Sequence, residues 1–398
     1  MSNIAVFPSN RIPYSQLIGC ALLVAGTTVG AGMLGMPLIT SQAGFIPAVA
    51  ITVIVWAVML MTGLLLLEVC LQVPGSSNIL SLAQHFFGKT GRTWVGALFA
   101  FLYYALLTAY FAAGTHLISS VFSCPFFISL MSFSLVFGVI VANGFHWINK
   151  VNTALTLSMV ASYSLLLVWG GSSVDTVRLS HAQLSASFFA TPVLFSAFGF
   201  HNIIPSLVGE VGKNKNLLRL SIVLGTMVAL VIFLLWQWLI IGSIPQDVLQ
   251  KTLAEGMPVT MALQAIVAKK GVFLTGQCFA FFALTTSLLG VSFSMLDFLS
   301  EALASYKIQL NRIALTVLTF SIPILCVLWD PTLFDKALGI AGGFGEAILN
   351  GFIPILFFLL YKRRRAEQKL SAFQKITVAV LSVFCFFVVL VELYQLVF

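Results

Sequence analysis

The sequence predicts an all-α polytopic membrane protein in which five helices are repeated in inverted orientation and an eleventh helix follows. Three observations lead to this fold class. Of the 398 residues, 60% are hydrophobic and only 8% are charged, whereas soluble domains carry roughly 25% charged residues. Eleven apolar segments are long enough to cross a bilayer. The first and the sixth of them are both interrupted by glycine and proline near their centres.

The segments follow from apolar length, because a bilayer core about 30 Å thick needs ~20 apolar residues per helix. The gaps between them are too short for a soluble domain, so we expect one membrane domain over residues 1–398. We expect residues 15–171 to form the first five-helix repeat, 188–361 the second and 373–396 a peripheral helix. The predicted segments are 15–41, 44–71, 93–122, 126–145, 152–171, 188–210, 217–241, 258–300 (an overlong stretch), 312–329, 337–361 and 373–396.

The distribution of Lys and Arg predicts the orientation, because these residues collect in short cytoplasmic loops. With the N-terminus inside, only five of the 20 Lys and Arg residues fall outside, namely Arg178, Lys251, Lys269, Lys270 and Lys336. The polar start of the chain shows no cleavable signal peptide. We therefore expect a cytoplasmic N-terminus and a periplasmic C-terminus. The net charge of +8 reflects this topology and contact with anionic lipid, so we expect no nucleic-acid partner.

The first break lies in VAGTTVGAGMLGMP at 24–37. Glycine weakens a helix interior by about 1 kcal/mol and proline by about 3. Irregular backbone at membrane depth is tolerated only where it is buried in protein or lines a polar cavity. A helix start there offers N–H donors to a carboxylate, and carbonyls at the preceding helix end suit an ammonium group. The alternative is that the pairs Gly26–Gly30 and Ala31–Gly35 only allow close helix packing.

The second break lies in FSAFGFHNIIPSLVGE at 195–210. Five segments separate the two breaks, and a repeat of five helices must return in inverted orientation. Inverted repeats with paired discontinuous helices are typical of secondary transporters, which bind substrate near the bilayer midplane. The matching breaks therefore favour a transport site for a zwitterion over simple helix packing.

These stretches also resemble a known family. GTTVGAGMLGMP at 26–37 and FGFHNIIPSL at 198–207 resemble the first-helix and sixth-helix signatures of the hydroxy and aromatic amino acid permeases. ALTTSLLGVSFSMLDFL at 283–299 resembles their eighth helix. The resemblance covers essentially the whole chain and is greatest to the tyrosine-specific type. It implies the leucine-transporter-type fold of the amino acid–polyamine–organocation superfamily and proton-coupled amino acid import, which we expect in a bacterial inner membrane.

The resemblance also implies a substrate site. Residues 26–32 would hold the carboxylate and amino groups, and residues 195–202 would form the opposite wall. Aromatic residues of segment 3 (Tyr103, Tyr104, Tyr110 and Phe111) would contact the substrate side chain, with Tyr104 as the predicted contact. The predicted substrate-binding residues are Gly26, Thr27, Gly30, Ala31, Gly32, Tyr104, Phe195, Ser196, Phe198, Gly199, His201 and Asn202.

Ionisable residues inside a membrane are costly and usually functional. His201 lies at the second break, and histidine changes charge near neutral pH. Glu346 lies in the glycine-rich GGFGEAILNG stretch of segment 10. Lys150 opens segment 5, where some proton-coupled relatives carry an amine in place of a sodium ion, but it lies close to the loop, and the positive-inside rule is the favoured interpretation. The adjacent hydroxyls of Thr286 and Ser287 suit sodium, so they keep sodium coupling as an alternative to proton symport.

Other functional classes find little support. The chain contains no metalloprotease, nucleophile-elbow or phosphate-loop motif, so we expect a transporter and not an enzyme. The six cysteines are scattered singly, which favours neither disulfides nor a metal site. We expect no cofactor beyond the coupling ion, and the amino acid and the lipid bilayer as partners. Carriers of serine, threonine or other neutral amino acids share the signatures, so these substrates stay open, as does the oligomeric state.

Overall fold

The computed structural model describes residues 14–73, 78–212, 214–265, 270–305, 307–364 and 370–397. Within these residues the regular structure is helical throughout. Nine of the described helices have the length and apolar composition to cross a membrane, and Tyr14–Thr28 with Gly32–Thr40 form a tenth, bent span. The 17-residue apolar helix Phe126–Ala142 accounts for the remaining predicted segment. The all-α fold class with its eleven segments is thereby confirmed.

The segments keep their sequence numbering below, and interrupted ones are divided into halves. Segment 1 comprises 1a (Tyr14–Thr28) and 1b (Gly32–Thr40), and segment 6 comprises 6a (Thr191–Ala197) and 6b (Ile204–Val211). Segment 10 comprises Leu333–Ile340, a π-helical stretch Ala341–Phe352, and Ile353–Arg364. The other segments are 2 (Phe45–Gln72), 3 (Ile79–Phe122), 4 (Phe126–Ala142), 5 (Phe145–Gly170), 7 (Lys215–Ser243), 8 (Lys270–Ser305), 9 (Arg312–Trp329) and 11 (Ala372–Val397).

The two largest differences from the predicted boundaries are at segments 3 and 8. Segment 3 starts at Ile79 and not near 93, because Asn78 caps it in a capping box with Ser81 and the chain bends at Gly88, where φ is +70°. The overlong stretch 258–300 is divided between a 3₁₀ turn at Val259–Ala265 and segment 8. A helix of moderate polarity at Gln246–Ala254 precedes that turn.

Ion pairs between side chains lie near the ends of the segments, on the two opposite faces of the bundle. On the face where segment 1 begins, Glu68 lies 3.5 Å from Arg219 and 3.4 Å from Lys362, and Arg92 pairs with Glu301. On the opposite face Lys336 lies 3.5 Å from Asp330. We call the first the basic face and the second the opposite face. These contacts agree with segments that alternate in direction.

The half-helix on the opposite face, segment 1b, is completely buried. It lies against segment 6a. Segment 8 packs along segment 5, and segment 11 lies against the π-helical part of segment 10. Segment 1a, in contrast, packs chiefly against segment 7. Segment 1b is therefore enclosed by its neighbours on the opposite face.

Candidate functional site

The first break covers Val29–Ala31 and bends segment 1 by 60°. The amide of Ala31 donates to the Ser287 hydroxyl on segment 8 at 2.9 Å. The indole of Trp236 on segment 7 donates to the carbonyl of Met33 at 2.9 Å. Among the described residues, the amide of Gly30 finds no acceptor and the carbonyl of Gly26 no donor. The break thus presents an N–H donor and a carbonyl acceptor that no described protein group uses.

The second break runs from Phe198 to Ile203 and includes a single 3₁₀ turn. His201 is fully buried, and its Nε2 lies 2.9 Å from the hydroxyl of Thr62 on segment 2. Its Nδ1 and the hydroxyl of Ser196 are buried without a hydrogen-bond partner in the described part of the chain. Asn202 donates to the Tyr103 hydroxyl at 3.3 Å. Buried polar atoms without partners are rare; these two lie at the second break, and others in the described part of the chain lie elsewhere, such as the Thr260 hydroxyl and the Trp56 indole.

The two breaks lie directly against each other. A methyl group on Gly32 would lie 2.9 Å from Cα of Ala197, at the end of segment 6a. A methyl group on Gly30 would collide with the Ser287 hydroxyl. Glycine is therefore needed at both positions for the close approach of segments 6 and 8. Gly26, by comparison, faces open space.

Glu346 joins segment 10 to the second break. Its carboxylate lies on Gly199, where an added methyl group would be 2.5 Å from Oε1. It is buried and accepts a hydrogen bond from the Asn350 amide, one turn along the π-helical stretch. Both sequence-predicted coupling candidates, His201 and Glu346, therefore lie at the same break.

Some of the predicted aromatic side chains point away from the two breaks. The Tyr104 hydroxyl donates to the carbonyl of Leu318 on segment 9 at 3.4 Å, which turns this predicted residue away from the breaks. Phe195 stacks on Phe384 of segment 11, and Phe198 packs edge-on against Phe233 of segment 7. The rings of Tyr104, Phe195 and Phe198 therefore support the site walls from behind.

Two other tyrosines of segment 3 face the breaks. Tyr103 receives the Asn202 hydrogen bond, and Tyr110 lies beside Ser287. Both are buried. Their spacing of seven residues puts them on one side of the helix, the side that faces segments 6 and 8.

The remaining predicted residues have specific places. Thr27 donates to the carbonyl of Leu23 at 2.8 Å and Thr286 to that of Phe282 at 2.9 Å, so both hydroxyls bond their own helices. Ser287, by contrast, reaches across to segment 1. The backbone of Lys150 belongs to segment 5, but its side chain lies outside the described residues.

Exposure distinguishes the two sides of the site. Gly26 and Asn202 at the breaks and Ser206 on segment 6b are exposed, although each lies in a span. A polar Asn side chain at membrane depth faces lipid only at a cost, so these residues indicate a cleft open to the basic face. Segment 1b closes the way to the opposite face.

One buried ionisable group was not predicted from the sequence. Asp335 is buried on the first turn of segment 10, against Gly35 of segment 1b. The predicted start of segment 10 was near 337, so Asp335 fell in a loop. The residues FDKALG mix charged and apolar side chains, and no feature of the sequence alone shows which charged group turns inward.

The geometry defines a fold class, a helical membrane protein with two facing discontinuous helices. Solved structures support this fold. A mutant of the manganese transporter of Eremococcus coleocola matches with a TM-score of 0.65 at 16% identity, over 99% of this chain and 89% of that one. MhsT in complex with L-phenylalanine matches with a TM-score of 0.63 at 12% identity, over 95% and 98%. The five-plus-five inverted fold of the leucine transporter type is thereby confirmed.

The sequence comparisons identify the family. The model of the tryptophan/tyrosine permease family matches residues 14–395, and the chain belongs to that family. A tyrosine-specific transport system of Haemophilus influenzae is 32% identical, over 89% of this chain and 90% of the relative. A tryptophan-specific transport protein of the same organism is 31% identical, over 86% of each chain. The chain is thus a multi-pass membrane transport protein and not an enzyme.

Proposed function

We propose that this protein imports aromatic amino acids, tyrosine first and tryptophan or phenylalanine with it, across a bacterial inner membrane by proton symport. The observation that carries the substrate class is the pairing of the two breaks. The unused Gly30 amide suits a carboxylate, and the unused Gly26 carbonyl suits an ammonium group. Tyr103 and Tyr110 lie beside them, and offset or edge contacts between aromatic rings favour a flat substrate.

The orientation supports import. The basic face is the cytoplasmic one by the distribution of Lys and Arg, so the N-terminus lies in the cytoplasm and the C-terminus in the periplasm. The cleft at Gly26, Asn202 and Ser206 then opens to the cytoplasm, and segment 1b closes the periplasmic side. Transport proceeds by alternating access as the half-helices exchange which side is closed.

Glu346 and His201 support the coupling to protons. Both are buried at the second break, where an isolated charge is expensive unless it is neutralised or paired. His201 keeps one ring nitrogen without a partner among the described residues, and the partner of the Glu346 carboxylate is the neutral Asn350 amide. A proton that enters and leaves with the substrate changes the charge of one of these groups at each turnover.

Sodium coupling is the second candidate, because Ser287 lies between segments 1 and 8. Its hydroxyl is already engaged by the Ala31 amide, and Thr286 bonds its own helix. The Thr286 hydroxyl donates its hydrogen and the Ser287 oxygen accepts a single bond, so each oxygen keeps a lone pair that could bind a cation. The proposal of proton coupling therefore rests on Glu346 and His201, and the gradient experiment decides between the two ions.

Uptake of labelled tyrosine into proteoliposomes, with imposed proton or sodium gradients, tests both parts. We expect accumulation to follow the proton gradient and excess serine to compete poorly, because serine leaves the aromatic contacts unmade. One methylene is worth ~1–3 kcal/mol in a shaped apolar pocket, and a whole ring is worth more. Accumulation that follows the sodium gradient would contradict proton coupling. Equal competition by serine and tyrosine would contradict the aromatic specificity.

A further inference from the structure

Asp335 is a carboxyl group held between segments 1b and 10. It is 8% exposed, and neither carboxyl oxygen has a hydrogen-bond partner among the described residues. A methyl group on Gly35 would lie 2.7 Å from its Oδ1 and 2.9 Å from Leu338. The carboxyl group therefore rests directly on the backbone of segment 1b.

The charge state of Asp335 follows from comparing two energies. The start of a helix favours an anion by about 0.3–1 kcal/mol, or ~2 in partly buried sites. Removing a carboxylate from water without a partner costs several kcal/mol even after relaxation. The second effect is larger, so segments 1b and 10 pack in this way only while Asp335 is neutral and carries a proton.

Water reaches Asp335 only if the opposite face opens. Segment 1b is buried along its whole length, and the chain after segment 7 covers the start of segment 10. There Gly256 packs on the backbone of Thr332, three residues before Asp335. Movement of segment 1b away from segment 10 would hydrate the carboxyl group and allow it to ionise.

We propose that Asp335 is a proton-binding site that controls closure of the periplasmic gate. When segment 1b closes onto segment 10, the carboxylate takes one proton from periplasmic water, and reopening returns that proton to the same side. Asp335 therefore moves no net charge across the membrane. It sets the pH dependence of gate closure, whereas the coupling group at the second break sets accumulation. This inference rests on the orientation and transport activity proposed above.

Other titratable groups near this gate need controls. The Nε2 atom of His116, on segment 3, is 2.9 Å from the carbonyl oxygen of Pro331. Glu392 of segment 11 packs on Gly339, one turn from Asp335, and Glu346 lies further along segment 10. Segments 1b and 6a contribute no charged or histidine residue. Asp330 and Lys336 form an ion pair at the surface.

A cysteine reporter on segment 1b tests the gate. Thr40 is fully buried at its periplasmic end, and Thr40→Cys reacts with a membrane-impermeant maleimide only when the gate is open. In right-side-out vesicles, with each rate divided by that of an exposed thiol at the same pH because the thiolate is the reacting form, we expect labelling to rise with external pH, and to stay low at every pH after Asp335→Asn, because the amide cannot ionise. The parent without the reporter gives the background, including the native Cys124.

Matched variants assign the effect to Asp335. Hydrogen bonds from Thr332 hold the pKa of Asp330 below its usual value, so that residue stays ionised across the series. Asp330→Asn, His116→Gln and Glu392→Gln should therefore leave the pH dependence of labelling unchanged. Gly35→Ala keeps Asp335 but forces the carboxyl group off segment 1b, so we expect more labelling at every pH. Labelling that stays pH-dependent after Asp335→Asn, or is unchanged by Gly35→Ala, overturns the inference.

Transport measurements distinguish a failure of this inference from a failure of the proposed function. After Asp335→Asn we expect uptake at a fixed proton gradient to decline less at high external pH than in the wild type, while the accumulation ratio at that gradient is kept. Loss of accumulation would assign Asp335 to coupling and contradict the gate. Should the wild type follow sodium instead, proton symport fails, and the labelling result still decides the role of Asp335.

Discussion

At the scale of single residues, two of the buried polar atoms that the described fold leaves without partners lie at the proposed site, although others lie elsewhere. Within the described part of the chain, His201 Nδ1 and the Ser196 hydroxyl are both such atoms at the second break. Leaving a buried donor or acceptor unpaired costs about 1–3 kcal/mol. Such a cost is acceptable in a site that is completed by its ligand, and it is unexplained in a purely structural turn.

Replacement of the coupling group should separate exchange from accumulation. We expect one of Glu346→Gln and His201→Gln to retain exchange of labelled tyrosine but lose accumulation driven by a proton gradient, because the neutral side chain keeps the shape and cannot titrate. Counterflow and gradient-driven uptake in the same proteoliposomes measure the two activities. Two variants that both accumulate normally would exclude both residues as the proton carrier.

Close approach at the first break should make bulk at Gly32 incompatible with transport. A β-branched side chain there meets the backbone of Ala197, which a small rotation cannot relieve. We expect Gly32→Val to insert in the membrane and to lose uptake. Gly19→Val is the matched control, since an added Cβ meets nothing there. Normal uptake by Gly32→Val would show that the two breaks need not touch.

Sequence reasoning located the breaks but not the directions of their side chains. Glycine and proline mark a break through backbone energetics, which are local and readable. Whether Tyr103 or Tyr104 faces the site depends on the rotation of segment 3 within the bundle. Neighbouring residues on a helix point about 100° apart, and only tertiary packing selects one of them.

At the scale of elements, hydrogen bonds from segments 7 and 8 stabilise the first break. Ser287 accepts the Ala31 amide, and Trp236 of segment 7 donates to Met33 two residues later. These bonds replace some of those that an unbroken helix would have made, so segments 7 and 8 keep the break in one conformation. The break is therefore defined by three segments and not by the glycines alone.

Removal of the Ser287 hydroxyl should lower the stability of the protein without changing its coupling ion. Ser287→Ala leaves the Ala31 amide unpaired, which costs about 1–3 kcal/mol. We expect a lower unfolding temperature in detergent and slower uptake, with accumulation still dependent on the proton gradient. Thr286→Ala, whose hydroxyl bonds its own helix, should change stability less. A loss of sodium-driven uptake in Ser287→Ala would instead identify a sodium ligand.

Helix boundaries could be predicted from the sequence where the length of the apolar run sets them. They could not be predicted where a capping residue sets them. The Asn78 capping box extends segment 3 far beyond its apolar part. The π-helical stretch of segment 10 arises among five glycines at 339–351 that let segments 6, 3 and 11 approach closely. Their tertiary contacts determine that geometry, and no periodicity in the sequence indicates it.

At the scale of the whole molecule, the two faces of the bundle are closed to different degrees. Segment 1b is buried against segment 6a on the opposite face, whereas residues at the breaks and on segment 6b are exposed towards the basic face. Ion pairs of Glu68 with Arg219 and Lys362 tie segments 2, 7 and 10 together there. The described part of segment 1a takes no part in these pairs, although it packs against segment 7 of that frame.

This asymmetry predicts one-sided access to segment 6b in the absence of substrate. Ser206 is exposed on the basic side of the second break, so Ser206→Cys should react with an impermeant maleimide in inside-out vesicles and much less in right-side-out ones. The native Cys20 and Cys70 are buried and should add little background. Saturating tyrosine should slow the reaction, because the bound substrate occupies the adjoining cleft. Equal labelling from both sides, or preferential labelling from the periplasm, would contradict both the open cytoplasmic cleft and the orientation from which import was inferred.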